Sequence, residues 1–332
     1  MRFILLIAAT ILLFVLNLFF GSVSISPSEV LAVLTGNAPS EGPVGYIILG
    51  SRLPQAITAL LAGAGLAVSG LLLQTAFRNP LAGPSILGIN SGASLGVALI
   101  MLLFGGSVTA AGISMSGQIA VMFGAFVGSI AIIGLLLLFS TWLKNNLMLL
   151  ITGIMVGYLT SSVITLLNYS SSAEGVQSYV MWGMGSFNGI TMKQIPGFAT
   201  GTIVGLLLAT LLVKPLNTLL LGDNYARNLG VNLQLLRNSL LLATGLLTAC
   251  ITAYCGPVSF IGLAVPHIAR LIFRVSDHRV IMPGCMLTGS VVALLCNLLC
   301  VLPSGTLLPL NGVTPLIGVP VVLYVIFHSR KH

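Results

Sequence analysis

Residues 116–140 read SGQIAVMFGAFVGSIAIIGLLLLFS and hold no Asp, Glu, Lys or Arg. A helix rises about 1.5 Å per residue, so a run of this length crosses the roughly 30 Å hydrocarbon layer of a bilayer. Similar runs lie at 3–20, 53–75, 85–104 and 147–167, then at 197–213, 238–254, 257–272, 281–301 and 313–328. Ten membrane spans follow, with no stretch left for a second unit, so 1–332 reads as a single all-α transmembrane domain. Composition agrees: 57% of residues are hydrophobic and the mean hydropathy is +1.11, which excludes a soluble domain. The eighth run is the shortest. Gly256, Pro257 and Pro266 interrupt it, which predicts irregular backbone at membrane depth whose polar groups neighbouring protein or water must satisfy.

Charge supplies the orientation. With Met1 in the cytoplasm, Arg2, Arg78, Lys144, Lys214, Arg227, Arg237, Arg270, Arg274, Arg279, Arg330 and Lys331 fall inside, and only Arg52 and Lys193 fall outside. Basic residues in short loops stay on the cytoplasmic side, so both termini are expected there. The net charge of +8 then reflects loops facing anionic membrane lipid and needs no nucleic acid. The first run resembles a signal peptide, ending near Gly21, Ser22 and Ser24, but its apolar core exceeds the roughly 7 to 15 residues usual for a cleaved signal. It reads as a retained span. Residues 21–46 and about 168–195 form outer loops.

The five cysteines, Cys250, Cys255, Cys285, Cys296 and Cys300, lie in or beside apolar runs. Cys296 and Cys300 are one turn apart, yet no His or carboxylate accompanies them, so inert buried thiols are expected and no metal site. Gly92 with Gly96, Gly124 with Gly128, Gly153 with Gly157 and Gly201 with Gly205 are small-residue spacings, as are the neighbouring Gly63 and Gly65. In lipid they permit close helix contact, which predicts a tightly packed bundle.

The acids constrain mechanism. Glu29, Glu41 and Glu174 fall in outer loops, and Asp223 and Asp277 fall in inner ones. An ion-coupled carrier needs ionisable groups at membrane depth, so that class is disfavoured. The chain also lacks a Gly-Lys dipeptide, and hence any phosphate loop of the G-x-x-x-x-G-K-[ST] type. Either a separate subunit hydrolyses nucleotide or the protein is a passive pore, for which Asn90, Ser91, Gln118, Thr160, Ser161 and Ser162 are candidate lining residues. A partner's handle would be the longest hydrophilic inner stretch, about 214–237. Asp223 suits a helix N-cap there and Gly230 a helix stop, although a capped helix in a solvated connector has the same composition.

Several motifs carry a family likeness: Arg52-Leu53-Pro54, Gln74 with Arg78-Asn79-Pro80-Leu81-Ala82, and Leu87-Gly88-Ile89-Asn90-Ser91-Gly92-Ala93. They continue with Leu221-Gly222-Asp223, Ala226 and Leu229-Gly230, with Gly256-Pro257-Val258-Ser259-Phe260-Ile261-Gly262-Leu263, and with Pro266-His267 and Arg270. Asp277-His278-Arg279, Gly312-Val313-Thr314, Gly318 and Pro320 close the series. Over nearly its whole length the chain resembles permease subunits of type II ATP-binding-cassette importers for ferric siderophores, haem and cobalamin.

The resemblance implies that permease fold in a bacterial inner membrane, a second permease subunit as in a homodimer, and two ATP-binding cassette subunits carrying ATP and Mg. It also implies a soluble or lipid-anchored substrate-binding protein. No catalytic residue, cofactor or metal belongs to this chain. Gly222, Asp223, Ala226, Arg227, Leu229 and Gly230 correspond to the ATPase-coupling segment. Asn79, Leu81, Asn145 and Asn146 correspond to turns at the inner gate, although Asn beside Pro is also an ordinary turn former. Family members often carry Arg-x-Pro-Arg at an outer docking site. Here Arg52 matches and Gln55 replaces the second arginine, with Lys193 as a further contact and Trp182 and Ser186 at the outer entrance. Gly256, Pro257, Gly262, Pro266, His267 and Arg270 form the signature. For His267, a hydrogen bond to a neighbouring helix is favoured over iron ligation or proton relay. The cargo expected first is ferric siderophore, with haem and cobalamin close behind. An intramembrane hydrolase using Ser259 and His267 is the weakest alternative, since nothing else suggests an oxyanion site.

Overall fold

A computed structural model describes residues 1–37, 42–103, 107–110, 113–143, 146–302 and 307–329. The chain opens with α1 (Arg2–Phe19) and α2 (Pro27–Leu34), then α3 (Pro43–Gly45), a π-helical segment Tyr46–Arg52 and α4 (Leu53–Ala76). α5 (Ile89–Ala98) runs into a second π-helical segment, Leu99–Leu103, before a hairpin of β1 (Ser107–Ala110) and β2 (Ile113–Ser116). Then come α6 (Gly117–Trp142), α7 (Asn146–Ser170), α8 (Ala173–Gly183), α9 (Ile195–Leu211) and α10 (Val213–Leu219). The last five are α11 (Asp223–Asn228), α12 (Leu233–Cys255), α13 (Ile261–Phe273), α14 (His278–Val301) and α15 (Leu310–Ser329).

Among the described residues, six helical units are long and apolar enough to cross a membrane: α1, the continuous Pro43–Ala76, α6, α7, α12 and α14. α9 and α10, bent by 48°, make a seventh, and Ile89–Leu103, α13 and α15 are shorter apolar helices. These ten segments overlay the ten apolar runs. The second starts at Pro43 rather than at 53, because Pro43 occupies a first helical position and the apolar Tyr46–Arg52 continues the spiral.

Three further features depart from the expected loops. Within 21–46, Ser26 and Glu29 form a reciprocal capping box that starts α2: Ser26 Oγ accepts from Glu29 N–H at 3.3 Å, and Ser26 N–H donates to Glu29 at 3.1 Å. The side-chain and backbone bonds from Ser26 hold the Glu29 carboxyl below its ordinary range. α8 enters the loop expected at 168–195, and β1 pairs antiparallel with β2, Ser107 opposite Ser116, where no strand is expected.

α4 lies at the centre and touches α1, α9, α10, α12, α13 and α14. Leu71, Leu72 and Leu73 on it are fully buried. Its packing relies on small residues, since a Cβ at Gly70 would fall on the carbonyl oxygen of Gly262 in α13. α5 and α6 meet in the same way, with Gly96 against Gly124 and Gly92 against Gly128. All five cysteines are buried and unpaired.

Candidate functional site

One end of the bundle gathers Pro266, His267 and Arg270 of the signature and the hydrophilic 214–237 stretch. There α4 closes with Arg78 in the left-handed region, φ 46°, while Arg78 N–H and Asn79 N–H donate back to Thr75 O and Gln74 O at 3.3 and 3.2 Å. This is the backbone bonding of a glycine-type helix stop, made with arginine. Asn79 Oδ1 accepts from Leu81 N–H at 2.9 Å, tightening the turn that the resemblance associates with the inner gate, and Leu81 is exposed.

α13 grips this turn and the helix before it. His267 Nε2 donates to Pro80 O at 2.8 Å, Arg270 Nη1 donates to Gln74 Oε1 at 2.6 Å, and Gln74 Nε2 donates to Leu263 O at 3.1 Å. A carbonyl can only accept, so the proton of His267 sits on Nε2. Gly262 and Pro266 are buried in the same helix, where Gly262 packs against Gly70.

The 214–237 stretch folds as α10, a turn, α11 and the first turns of α12. Gly222, φ 109°, occupies the N-cap and Asp223 the first helical position, so Asp223 is one residue inside the expected cap and makes no cap bond. Its carboxylate instead pairs with Arg78 at 2.5 Å. The helix ends in a Schellman motif: Gly230 N–H donates to Arg227 O at 2.9 Å, Val231 N–H donates to Ala226 O at 3.0 Å, and Gly230 has φ 84°. Ala226 is buried, while Leu221, Tyr225, Arg227 and Leu229 are exposed. A surface helix that shows several large apolar side chains beside a cation suits a protein partner.

A second brace behind α10 went unread in the sequence. Asn217 Oδ1 accepts from both the backbone N–H and Nδ1 of His278, each at 2.8 Å, and its amide donates to Asp277 Oδ1 at 2.6 Å. His278 Nε2 lies 2.9 Å from Thr75 Oγ1. The Arg279 N–H and then the Asn217 amide hold the Asp277 carboxyl below its ordinary value. The hydrophilic run flagged the neighbourhood of Asn217, but nothing in spacing tied it to His278.

At the opposite end the expected docking residues divide. Arg52 is not presented to solvent: it is buried, with Nη1 donating to Leu18 O and Phe19 O at 2.9 and 2.8 Å and Nη2 to Val23 O at 2.5 Å. It closes the C-terminal end of α1, where carbonyls lack partners. Gln55 is buried too, and its amide donates to Asn297, whose own amide donates to Asn17 at 2.7 Å. Lys193 and Ser186 are exposed, and Trp182 is half-buried and stacked on Tyr179 with centroids 6.4 Å apart.

The irregular segment before α13 starts at Gly256, φ 72°, and Pro257, and its polar groups meet Asn311. Asn311 Nδ2 donates to Pro257 O at 2.6 Å and to Gly183 O at 3.1 Å, and its Oδ1 accepts from Ser259 N–H at 2.9 Å. Neighbouring protein thus satisfies the broken backbone, as its chemistry requires. Ser259 and His267 bond to different partners, Asn311 and Pro80. Of the other residues expected at the inner gate, Asn146 begins α7 and Asn145 lies outside the described residues.

Comparison with known proteins agrees with this architecture. The FecCD transport family matches residues 9–328. The vitamin B12 import system permease protein BtuC of Salmonella arizonae is 34% identical over 281 residues, covering 84% of this chain and 82% of that protein. Its counterpart in Citrobacter koseri is 35% identical over 285 residues, covering 84% and 82%. A solved structure described as a metal-chelate type ABC transporter, in an inward-facing conformation, superposes with a TM-score of 0.83 at 30% identity, covering 98% of this chain and 99% of that one. A non-catalytic, multi-span bundle with this signature and this match is an ABC transporter permease subunit, and the chain belongs to the FecCD transport family.

Proposed function

We propose that the chain forms half of the membrane pathway of an ATP-driven importer for a bulky metal chelate. A second copy completes the pathway, two ATP-binding cassette subunits carrying ATP and Mg sit at the basic end, and a binding protein delivers cargo at the other. The observation that carries this reading is α11, a short capped helix that exposes Tyr225, Arg227 and Leu229 and is tied through Asp223 to the end of the central helix α4. Movement of an ATPase groove against α11 would pull on Arg78 and hence on the Asn79–Leu81 turn next to it. Gly222, Ala226 and Gly230 shape that handle, and Asn79, Leu81, Asn145 and Asn146 line the inner gate. Lys193, Ser186 and Trp182 supply the outer contact, whereas buried Arg52 and Gln55 act on it only by fixing α1, α4 and α14.

Ferric siderophore is the first cargo, from its frequency in the resembled family, and haem is a further candidate. Cobalamin is the second reading, favoured by the vitamin B12 permeases that are 34% identical. Both termini face the cytoplasm of a bacterial inner membrane, since the basic loops then lie inside. Proteoliposomes holding the chain with its ATPase and binding protein, offered each chelate in turn, test the cargo. Uptake of none of the three would remove the chelate reading, and uptake without the ATPase would favour a channel.

A further inference from the structure

A cleft of about 870 Å³ opens at the basic end between the close of α4, the start of α7, α11 and the first turns of α12. Three arginines line it, Arg78, Arg227 and Arg237, against one carboxylate, Asp223, which is already engaged by Arg78. Its remaining wall is largely apolar, including Leu73, Phe77, Leu147 and Leu240.

Arg237 is the unusual member. It is 9% exposed, and its Nη2 donates to Ser140 O and Gln234 Oε1, both at 2.5 Å. Its Nε has no partner among the described residues, and no carboxylate there forms an ion pair with it. The carbonyl of Ser140, near the end of α6, offers only a partial negative charge. A guanidinium with so little exposure and no counter-ion is costly, so a site of this kind calls for an anion.

We propose that this cleft binds the phosphate group of an anionic phospholipid from the adjoining leaflet. Two features favour a lipid over free phosphate. The cleft lies where transmembrane helices end, the depth of the headgroups, and it sets arginines beside an apolar wall that suits acyl chain. Basic pockets between helix ends at the cytoplasmic face are where anionic headgroups are held. The inference shares Arg78, Asp223 and Arg227 with the handle proposed above, and rests on the cleft they line with Arg237.

The test uses the full chain purified in detergent and measures co-purifying and added phospholipid by native mass spectrometry. Dioleoylphosphatidylglycerol is compared with dioleoylphosphatidylcholine, and inorganic phosphate is the competitor. Wild type should retain the anionic lipid preferentially, and millimolar phosphate should not displace it. Arg227→Gln, on an exposed side chain whose loss leaves the packing intact, should lower retention about fivefold, and Arg237→Gln should lower it further. Arg279→Gln, an exposed arginine away from the cleft, should leave retention unchanged and so separates the site from general surface charge. Equal retention of both lipids, equal retention by all variants, or displacement by phosphate alone would each overturn the proposal. If Arg237→Gln does not fold, the contrast between Arg227→Gln and Arg279→Gln decides.

Discussion

Arg78 and Asp223 meet at 2.5 Å and join the last turn of α4 to the first turn of α11, forming the one ion pair among the described residues. Both side chains are about half exposed, at 53% and 47%. Such a pair contributes only about 0.2–1 kcal/mol to stability, so its value lies in the geometry it imposes on the two elements it joins. Arg78→Ala and Asp223→Ala should leave the melting temperature nearly unchanged. Each should lower the amount of cargo moved per ATP hydrolysed in proteoliposomes, and the reversed pair Arg78→Asp with Asp223→Arg should recover part of it. Single variants that transport and hydrolyse in the wild-type ratio would show that the pair transmits nothing.

His267 holds the Asn79–Leu81 turn through one bond to Pro80 O. Removing one partner of such a bond costs about 1–2 kcal/mol locally. His267→Ala should therefore speed hydrogen exchange at the Leu81 amide, which Asn79 Oδ1 protects, while exchange in the buried centre of α4 stays the same. Iron binding to the purified chain should be identical in wild type and variant. A loss of bound iron would return His267 to the list of ligands.

Glycines at helix crossings allow a contrast within one fold. Gly70→Ala sets a methyl on the carbonyl oxygen of Gly262, whereas a Cβ at Gly134 in α6 meets nothing within 4 Å. Overpacking costs about 1–3 kcal/mol or more, while Ala for Gly in an open helix position gains up to about 1 kcal/mol. Thermal unfolding in detergent should place Gly70→Ala clearly below wild type and Gly134→Ala at or above it. Similar melting temperatures for the two would mean that α4 and α13 do not approach as closely as their backbones indicate.

Bulk apolarity made the ten segments legible, because a bilayer demands it over a fixed length. The short helix at 223–228 was legible for a different reason: it falls in the longest hydrophilic inner stretch and Gly230 marks its stop, although its cap is Gly222 rather than Asp223. The burial of Arg52 was not legible, because linear position at the end of a span does not say which way a long side chain folds. Its partners, Leu18, Phe19 and Val23, belong to the end of α1 and the turn after it, far back in the chain. Asn17, Asn217, Asn297 and Asn311 carry no sequence pattern that ties them to their partners. Single polar residues in apolar surroundings carry no periodicity, and only the fold shows that each one bonds to a different helix. α2 could have been found, since Ser26-Pro27-Ser28-Glu29 is a complete start signal.

Asn311 fastens three backbone groups from two other segments, and among the described residues no second side chain does the same for the break before α13. Asn311→Ala should lower stability by about 2–3 kcal/mol, the loss of two or three neutral hydrogen bonds. Asn311→Asp keeps the acceptor for Ser259 N–H and loses both amide donations, so it should fall further where its carboxylate faces Pro257 O and Gly183 O. Thermal unfolding at neutral and acid pH separates the two effects, because protonating the new carboxyl restores one donor. The Asp variant should therefore gain on the Ala variant as the pH is lowered, and parallel curves for the two would show that Asn311 is not the clasp.

Asp277 offers the remaining pH dependence. Its folded pKa lies below the unfolded value because the Arg279 N–H and the Asn217 amide bond its ionised form. A depressed carboxylate contributes stability that is present above the unfolded pKa and is lost as pH drops through the folded one. Asp277→Ala removes this cap on α14 together with the link to α10, so its melting temperature should lie below that of wild type at pH 7. The gap should narrow as the pH is taken from 5 towards 3, since wild type then protonates the same group. A gap that stays constant over this range would show that the carboxylate charge has no part in holding α10 against α14.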